Sequence, residues 1–454
     1  MASIDPVALA NWTSGTWKNR APSTVSAFNY DSRKLEAGQV FVALRTASRD
    51  GHDFLAAAKE AGASGALVDR FQPEVDLPQL VVADVSKALI EAARGYRLSW
   101  KAQVVGITGS CGKTTCKEVL ACLLSERGTL STVGNLNNLI GVPVSILRSE
   151  GQAVEFAVLE AGISEPGEME QLARAICPDW GIVTAIGPAH LQDLGTVETV
   201  AIEKGKLLQE KGLRGAFVGE TAEPYLSELD CRFAKVVRRD ASLAGDWSFD
   251  FASAGGRTKF RQRIAGEVRD FEYAGSGAGL ASNVALAVAT AVSLGVDLVS
   301  ISRALGQWAS AQMRNEWREQ GANRVFLDCY NANPISMRDS LRTFAAETPE
   351  EKPRFYLLGC MEELGGESPR LHEELAGDIP LRKRDFLLVI GSEAKSVLRG
   401  MKDAGCDTGN CFEIASVEEA KDRLARFAGS VFLKGSRRYR LESALDYLKG
   451  GVSC

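Results

Sequence analysis

The chain has 454 residues, 45% of them hydrophobic and 24% charged, with a formal charge of −5 at neutral pH. That length holds about two to four domains with ample core, and the acidic balance argues against a general nucleic-acid binder. No apolar run reaches the length needed to cross a bilayer. The opening MASIDPVALANWTSGTWK lacks the basic-then-apolar order of a secretory signal, so the expectation is a cytoplasmic protein without membrane insertion. Ten cysteines are scattered without a CxxC pair, which suggests neither a disulfide framework nor a zinc site.

The first hundred residues read as a small α/β unit. Strands are expected at Val40–Leu44, Ala66–Val68 and Leu80–Val82, and helices at Phe54–Ala61 and from Ser86 to about Trp100. Two polar clusters stand out, Asp31-Ser32-Arg33 and Arg49-Asp50-Gly51-His52-Asp53. On the residues alone, each reads as a turn with a helix cap, Asp53 capping the helix that follows.

Between residues 101 and 312 the pattern alternates strand and helix. Val104 to Ile107 is a buried strand, Gly109-Ser110-Cys111-Gly112 a glycine-interrupted loop, and Lys113-Thr114-Thr115 opens a helix carrying Val119, Leu120, Leu123 and Leu124 at helical period. These are the parts of a phosphate cradle. Backbone N–H groups at the helix start point at the anion, the lysine neutralises it, and the threonine hydroxyl reaches a bound Mg²⁺. A standard Walker A loop would place its first glycine at Ile107, so this loop is a shorter variant. Cys111 reads as a small loop residue whose backbone faces the phosphate.

Strands at Phe156–Glu160 and Ile182–Ile186, each followed by a loop and a helix, imply a parallel sheet covered on both faces. Ligands on such sheets collect at the carboxyl ends of the strands. That rule gathers the phosphate loop, the loop after Glu160 and the loop carrying His190. Glu160 ends an apolar strand, where it is placed to ligate Mg²⁺ directly or through water; a solvated strand end is the alternative. The chain has three histidines, His52, His190 and His372, and a lone histidine is more often structural than a ligand. Lys204, on the helix after His190, reads by itself as a solvated lysine. From Asp246 to Tyr273 the alternation of polar and apolar residues with glycine turns predicts antiparallel hairpins, and helices resume at Ala281–Leu294 and Leu298–Trp308.

From Met313 a fresh alternation supplies strands at Val325–Leu327, Phe355–Leu358, Leu387–Ile390, Cys411–Ile414 and Val431–Leu433, enough for a doubly wound domain. Asp328, at a strand end, can accept a hydrogen bond from a ribose hydroxyl. Arg314, at the boundary with the preceding domain, offers paired planar donors to a phosphate. Lys434-Gly435-Ser436-Arg437 is an anion site or a basic turn.

Taken in order, TGSCGKTT (Thr108–Thr115), GNLNNLIGVP (Gly134–Pro143), VLEAG (Val158–Gly162), IGPAHL (Ile186–Leu191), Lys204, MRNE (Met313–Glu316), DCYNANPISM (Asp328–Met337), GCMEELGGES followed by His372, and LKGSR (Leu433–Arg437) resemble the Mur ligases of peptidoglycan synthesis. The resemblance runs from Asp31 to Arg437, and YNANP with MEELG is similar to the branch that adds D-alanyl-D-alanine to UDP-N-acetylmuramoyl-tripeptide. It implies an α/β protein of three domains. These are a small UDP-substrate-binding domain (1–100), a central P-loop ATPase domain with a mostly parallel sheet plus a small antiparallel one (101–312), and a C-terminal Rossmann-like domain (313–454). The implied chemistry is an ATP-dependent amide ligation. ATP phosphorylates the terminal carboxylate of the tripeptide, and the amine of D-alanyl-D-alanine displaces phosphate from the acyl phosphate.

The resemblance also implies roles. Lys113 and Arg314 would cancel repulsion between ATP and the carboxylate. One Mg²⁺ would sit between Thr114, Glu160 and ATP, a second near His190 and a carbamylated Lys204. Asn138 would orient substrate beside the γ-phosphate, with Asn283 and Asp328 on adenine and ribose. Ser32, Arg33, Arg49, Asp50, His52 and Asp53 would face the uridine nucleotide, and Tyr330, Asn331, Asn333, Ser368 and His372 the dipeptide. A monomer is expected.

The chain departs from the family pattern at Gly279-Leu280, where a His-Asn pair is usual, at Ala185, usually asparagine, and at Cys360, usually acidic. The first two departures fall on the adenine side and the third on the dipeptide side. Two competing readings are a sister ligase adding a diamino acid or glutamate, and a catalytically silent nucleotide-binding paralogue. Intact Lys113, Thr114, Glu160, His190 and Lys204 weigh against the second.

Overall fold

A computed structural model describes residues 3–148, 154–231 and 233–448. In the N-terminal unit five short strands lie in the order Thr16–Lys18, Gln79–Val81, Gly65–Val68, Val40–Val42 and Phe28–Asn29, the first antiparallel to its neighbour and the rest parallel. Alternate residues of these strands enter two different apolar clusters, Val40, Val42 and Leu67 one and Phe41, Ala66 and Val68 the other, so both faces are covered. A helix at Pro6–Thr13, capped by Asp5, and the two outer strands are too short to leave a periodic signal. Asp53 is not a cap. The helix Leu55–Glu60 has no side-chain cap, and it is Asp50 that accepts the His52 N–H in the turn before it.

The helix Val85–Leu98, capped by Asp84, joins this unit to the next. Its Arg97 is buried and donates to the carbonyls of Ile176 and Cys177 and to Asp179, at 3.1, 3.0 and 2.7 Å. An arginine can satisfy three acceptors at once because its donors are fixed in one plane.

The central sheet has six parallel strands in the order Ala234–Val237, Gly215–Gly219, Trp180–Val183, Gln103–Thr108, Phe156–Glu160 and Thr129–Ser131. The strand expected to run to Ile186 stops at Val183. Beyond it Thr184 turns toward the phosphate loop, its Oγ1 donating to Cys111 O while its N–H donates to Thr108 O at 2.9 Å. Phe249–Ala254, Arg257–Ile264 and Glu267–Ala274 form the antiparallel sheet. The Ala- and Val-rich helix Ala278–Ser293 lies buried between that sheet and the phosphate-loop helix Lys113–Leu123.

The C-terminal sheet runs Glu316–Gln320, Asn323–Asp328, Ser430–Lys434, Arg354–Gly359, Phe386–Ile390 and Cys411–Ile414, parallel except for its first strand. Phe326, Phe344, Tyr356 and Phe432 pack as one aromatic cluster on one face. Asp328 and Lys434 end adjacent strands in register, at the sheet edge where ligands bind in such folds. Among the described residues no helix is long and apolar enough to cross a membrane.

Candidate active site

The phosphate loop turns through Gly109 (φ +148°) and Gly112 (φ +81°), conformations open to glycine. Space requires glycine as well: a Cβ at Gly109 would lie 2.1 Å from Thr184 Oγ1, and one at Gly112 2.5 Å from Asn283 Oδ1. The loop is therefore pressed against both neighbours, and the N–H groups at the start of Lys113–Leu123 face the cleft. Lys113 folds back so that Nζ donates to Gly109 O at 2.8 Å. Burial lowers its pKa, and a cation so poorly solvated would attract an anion in the cleft more strongly than an exposed lysine.

Behind the loop lies Glu160, 1% exposed. Its Oε1 accepts from Thr114 Oγ1 at 3.1 Å and from Asn137 Nδ2 at 2.8 Å. Oε2 has no hydrogen-bond partner among the described residues; the nearest cation is Lys117, at 3.7 Å. Lys117, itself buried, donates to Thr132 O at 2.9 Å and Gly134 O at 3.3 Å, tying the asparagine-rich loop to the phosphate helix. Asn137 and Lys117 were not legible as site residues. The spacing held one signal, since Lys117 follows Lys113 by one helical turn on the same face. Asn138 is exposed and turned to its own backbone, Oδ1 accepting the Ile140 and Gly141 N–H groups at 3.2 and 2.8 Å. In this structure Asn137, not Asn138, points at Glu160.

A cavity of about 790 Å³ opens in front of the loop, lined from the central unit by Gly112, Lys113, Thr114, Glu160 and Asn283 and from the C-terminal unit by Arg314, Asp328 and Tyr330. The Arg314 guanidinium lies 4.1 Å from the centre of the Tyr330 ring, a cation–π contact that holds it at the rim. Asp328 accepts from Lys434 Nζ at 2.6 Å and Ser340 Oγ at 2.5 Å, and from Asn315 N at 3.2 Å. Lys434, 2% exposed, is thus neither a surface basic turn nor a free anion site. It is the buried cation that orients Asp328.

A second cavity, of about 540 Å³, is lined by His190, Asn331, Glu362, Glu363, Arg437 and Arg438, and shares Ser110, Asn331, Ala332 and Asn333 with the first. His190 (φ +53°) and Glu363 (φ +65°) face each other across the domain boundary, Nδ1 2.5 Å from Oε2. The imidazole holds the Glu363 carboxyl below its ordinary pKa. Lys204 is fully buried and its Nζ has no hydrogen-bond partner among the described residues. Burial first, and Lys113 nearby second, hold its pKa well below that of an ordinary lysine. Among the described residues no three His, Cys, Asp or Glu side chains converge as a ready-made metal site.

Several of the other expected residues lie outside both cavities. His372 accepts the Met361 N–H on Nε2 at 2.9 Å, and its Nδ1 lies 2.7 Å from Ser368 O. His372 and Ser368 therefore brace the loop after Gly359, with both ring nitrogens committed. Asn333 does line the cleft, but its amide donates to Ser110 O at 3.0 Å and its oxygen caps its own helix. In the N-terminal unit His52 is buried between Asp50 (2.7 Å) and Asp69 (3.2 Å). Asp50 also takes Arg70 at 2.6 Å. Arg33 is exposed on Asp31, which it pulls down to about 2. Ser32, Arg49 and Asp53 lie partly or fully exposed around these clusters. The departures also find places: Leu280 and Cys360 are buried in the core, and Ala185 O accepts the Ser110 N–H at 2.8 Å.

Comparison with known proteins decides the family. Three family models match in chain order: "Mur ligase family, catalytic domain" at residues 24–97, "Mur ligase middle domain" at 107–291, and "Mur ligase, glutamate ligase domain" at 313–437. The UDP-N-acetylmuramoyl-tripeptide–D-alanyl-D-alanine ligase of Escherichia coli (strain K12) is 32% identical over 96% of each chain. The chain belongs to the Mur ligase family. The enzyme of the same name from Bacillus subtilis (strain 168) is 30% identical to this Mur ligase over 92% of each chain. A crystal structure of MurF from Acinetobacter baumannii superposes with a TM-score of 0.87 at 26% identity, covering 99% of both chains. MurF ligase from Thermotoga maritima in complex with ADP gives 0.79 at 27% identity, covering 93% of this Mur ligase and 97% of that chain.

Proposed function

We propose that this Mur ligase joins D-alanyl-D-alanine to the terminal carboxyl group of UDP-N-acetylmuramoyl-tripeptide, converting ATP to ADP and phosphate. The observation that carries the reading is the wall shared by the two cavities at Ser110 and Asn331–Asn333. A nucleotide with its terminal phosphate on Lys113 and the loop N–H groups ends at that wall, and the second cavity opens on its other side. The carboxylate takes the γ-phosphoryl group, ADP departs, the dipeptide amine attacks the acyl carbon, and phosphate leaves. Two anions must meet, and Lys113 with Arg314 supplies fixed positive charge there without reorganisation. Tyr330 keeps Arg314 at the mouth, while Asn331 lies where both cavities meet.

The donor set suits Mg²⁺ at one position. Glu160 offers a buried carboxylate oxygen without a hydrogen-bond partner among the described residues, beside the Thr114 hydroxyl, and Mg²⁺ is commonly held by one carboxylate with substrate phosphates. Its chemistry there would be to neutralise charge on the transferring group. A second Mg²⁺ near His190 needs another oxygen donor, which Lys204 supplies once carbamylated. Its unpartnered, readily deprotonated amine is suited to that modification. The N-terminal unit (1–100) holds the uridine nucleotide, the central unit (101–312) ATP, and the C-terminal unit (313–454) the dipeptide. The protein acts as a cytoplasmic monomer.

The test is product analysis after incubation with ATP, Mg²⁺, UDP-N-acetylmuramoyl-tripeptide and a panel of amines. D-alanyl-D-alanine alone should stimulate phosphate release and give the pentapeptide product. Equal stimulation by a diamino acid or glutamate would assign the chain to a sister activity, and full turnover by Lys113→Ala would overturn the phosphate-loop assignment.

A further inference from the structure

We propose that Asp339 binds the nucleoside half of ATP, its second carboxylate oxygen accepting a hydrogen bond from the base amino group or a sugar hydroxyl. The inference rests on the ATP reading above and adds a residue to it. Asp339 lies on the helix Pro334–Glu347, whose cap Asn333 is bonded to the phosphate loop. Six residues further along that helix, at 1.5 Å per residue, places Asp339 about 9 Å from the phosphate end. A nucleotide running along this wall presents its sugar and base there.

The opposite wall is the start of the helix Ala278–Ser293, and the two walls meet at Asp339. Gly279 N donates to Asp339 Oδ1 at 3.0 Å, and a Cβ at position 279 would lie 2.5 Å from Oδ2. The carboxylate thus occupies the space any side chain at 279 would need, so Gly279 and Asp339 form one arrangement.

Oδ2 has no hydrogen bond among the described residues, and no neighbouring cation is turned to it. Arg338 and Arg342 are on Asp378, at 2.7 and 3.3 Å, and Lys434 is on Asp328 at 2.6 Å. A carboxylate oxygen in a cleft that ligand will desolvate is costly without a donor. Asp328, another acid lining this cavity, already accepts from Lys434, Ser340 and Asn315. Asp339 keeps its capacity for the nucleoside, whose donors are the exocyclic amine and the two hydroxyls.

Equilibrium binding to the full-length protein tests this, using ATP, purine riboside triphosphate (no amino group), 2′-deoxy-ATP and 3′-deoxy-ATP. Wild type should bind one of the three analogues about tenfold more weakly than ATP, the worth of a hydrogen bond to a charged group. Asp339→Ala should bind ATP about tenfold more weakly and no longer distinguish it from that analogue. Asp339→Asn keeps an acceptor for Gly279 and repeats the cycle without the risk of a folding loss. Variants that bind all four nucleotides as wild type does, or that weaken equally on all four, would reduce Asp339 to a helix contact and overturn the proposal. Absence of ATP binding by wild type would instead remove the underlying reading, and the proposal with it.

Discussion

The side-chain amide of Asn333, at the head of a C-terminal-unit helix, donates to the carbonyl of Ser110 in the phosphate loop at 3.0 Å. The same side chain accepts the Ser336 N–H at 2.9 Å, capping its helix. One residue therefore couples a helix start in one unit to the anion site of another. Asn315 Nδ2 on Ser276 O (2.6 Å) and Gln192 N on Glu363 O (3.1 Å) reinforce the junction. With this junction made, Arg314 and Asp328 line the same cavity as Lys113.

Asn333→Ala is expected to lose about 1 kcal/mol of helix capping and to loosen the junction. Small-angle scattering should show a larger radius of gyration than wild type without ligands, shrinking toward the wild-type value with a non-hydrolysable ATP analogue and the UDP substrate. Identical dimensions for the two proteins in both conditions would mean that the contact does not hold the units together.

Lys117 is the only cation within ion-pair distance of Glu160 among the described residues. Lys117→Met keeps the stem and removes the charge, leaving a buried carboxylate with Thr114 and Asn137 alone. Breaking a buried pair in this way costs about 3 kcal/mol. Urea unfolding should report that loss, and ATP with Mg²⁺ should recover part of it by binding the folded state. A variant as stable as wild type would show that Lys117 serves only the carbonyls of Thr132 and Gly134.

How far these features could be read from the residues depends on where their cause lies. The strands Gln103–Thr108 and Phe156–Glu160 and the glycine loop are local, and the apolar runs and spacing announce them. The stretch EWREQ (Glu316–Gln320) is polar apart from Trp317 and half-exposed, an edge strand paired with Asn323–Asp328, so no periodicity betrayed it. Asn137 and Asn138 are neighbours of one type, and only the loop path decides which turns inward. Ile182–Ile186 is apolar but for Thr184, whose hydroxyl is committed to Cys111 O in the phosphate loop, and the strand ends just before it at Val183. His52 and His372 are explained by partners distant in sequence, Asp69 for one and the Met361 backbone for the other.

His372 gives a pH prediction. Nε2 must stay unprotonated to accept the Met361 N–H, and burial holds the ring's pKa below the ordinary value of about 6.5. The folded state therefore binds its proton less readily than the unfolded one. The stabilisation is complete above about pH 6.5 and declines as pH falls toward the folded value. Wild type should lose stability across that window, while His372→Gln should be weaker at neutral pH and flatter below it. Matching pH slopes for the two proteins would assign the acid sensitivity to other groups.

Lys204 is a second buried group whose protonation is linked to stability. An ammonium with no hydrogen bond among the described residues, fully buried and near Lys113, is among the costliest groups the fold could hold. Because its folded pKa is depressed, that cost is absent at pH above the unfolded value, about 10.4, and grows as pH falls toward the folded value. At neutral pH the unmodified lysine thus destabilises the protein, and the neutral amine is the form that adds CO₂. Carbamylation replaces the cation with an anion, which Lys113 attracts rather than repels. Isotopically labelled bicarbonate should then give a carbamate carbonyl signal in wild type that is missing from Lys204→Ala. Removing CO₂ should lower both turnover and the melting temperature of wild type and leave the variant's melting temperature unchanged. Full turnover and no carbamate signal in CO₂-free buffer would show that the amine itself occupies the site during the reaction.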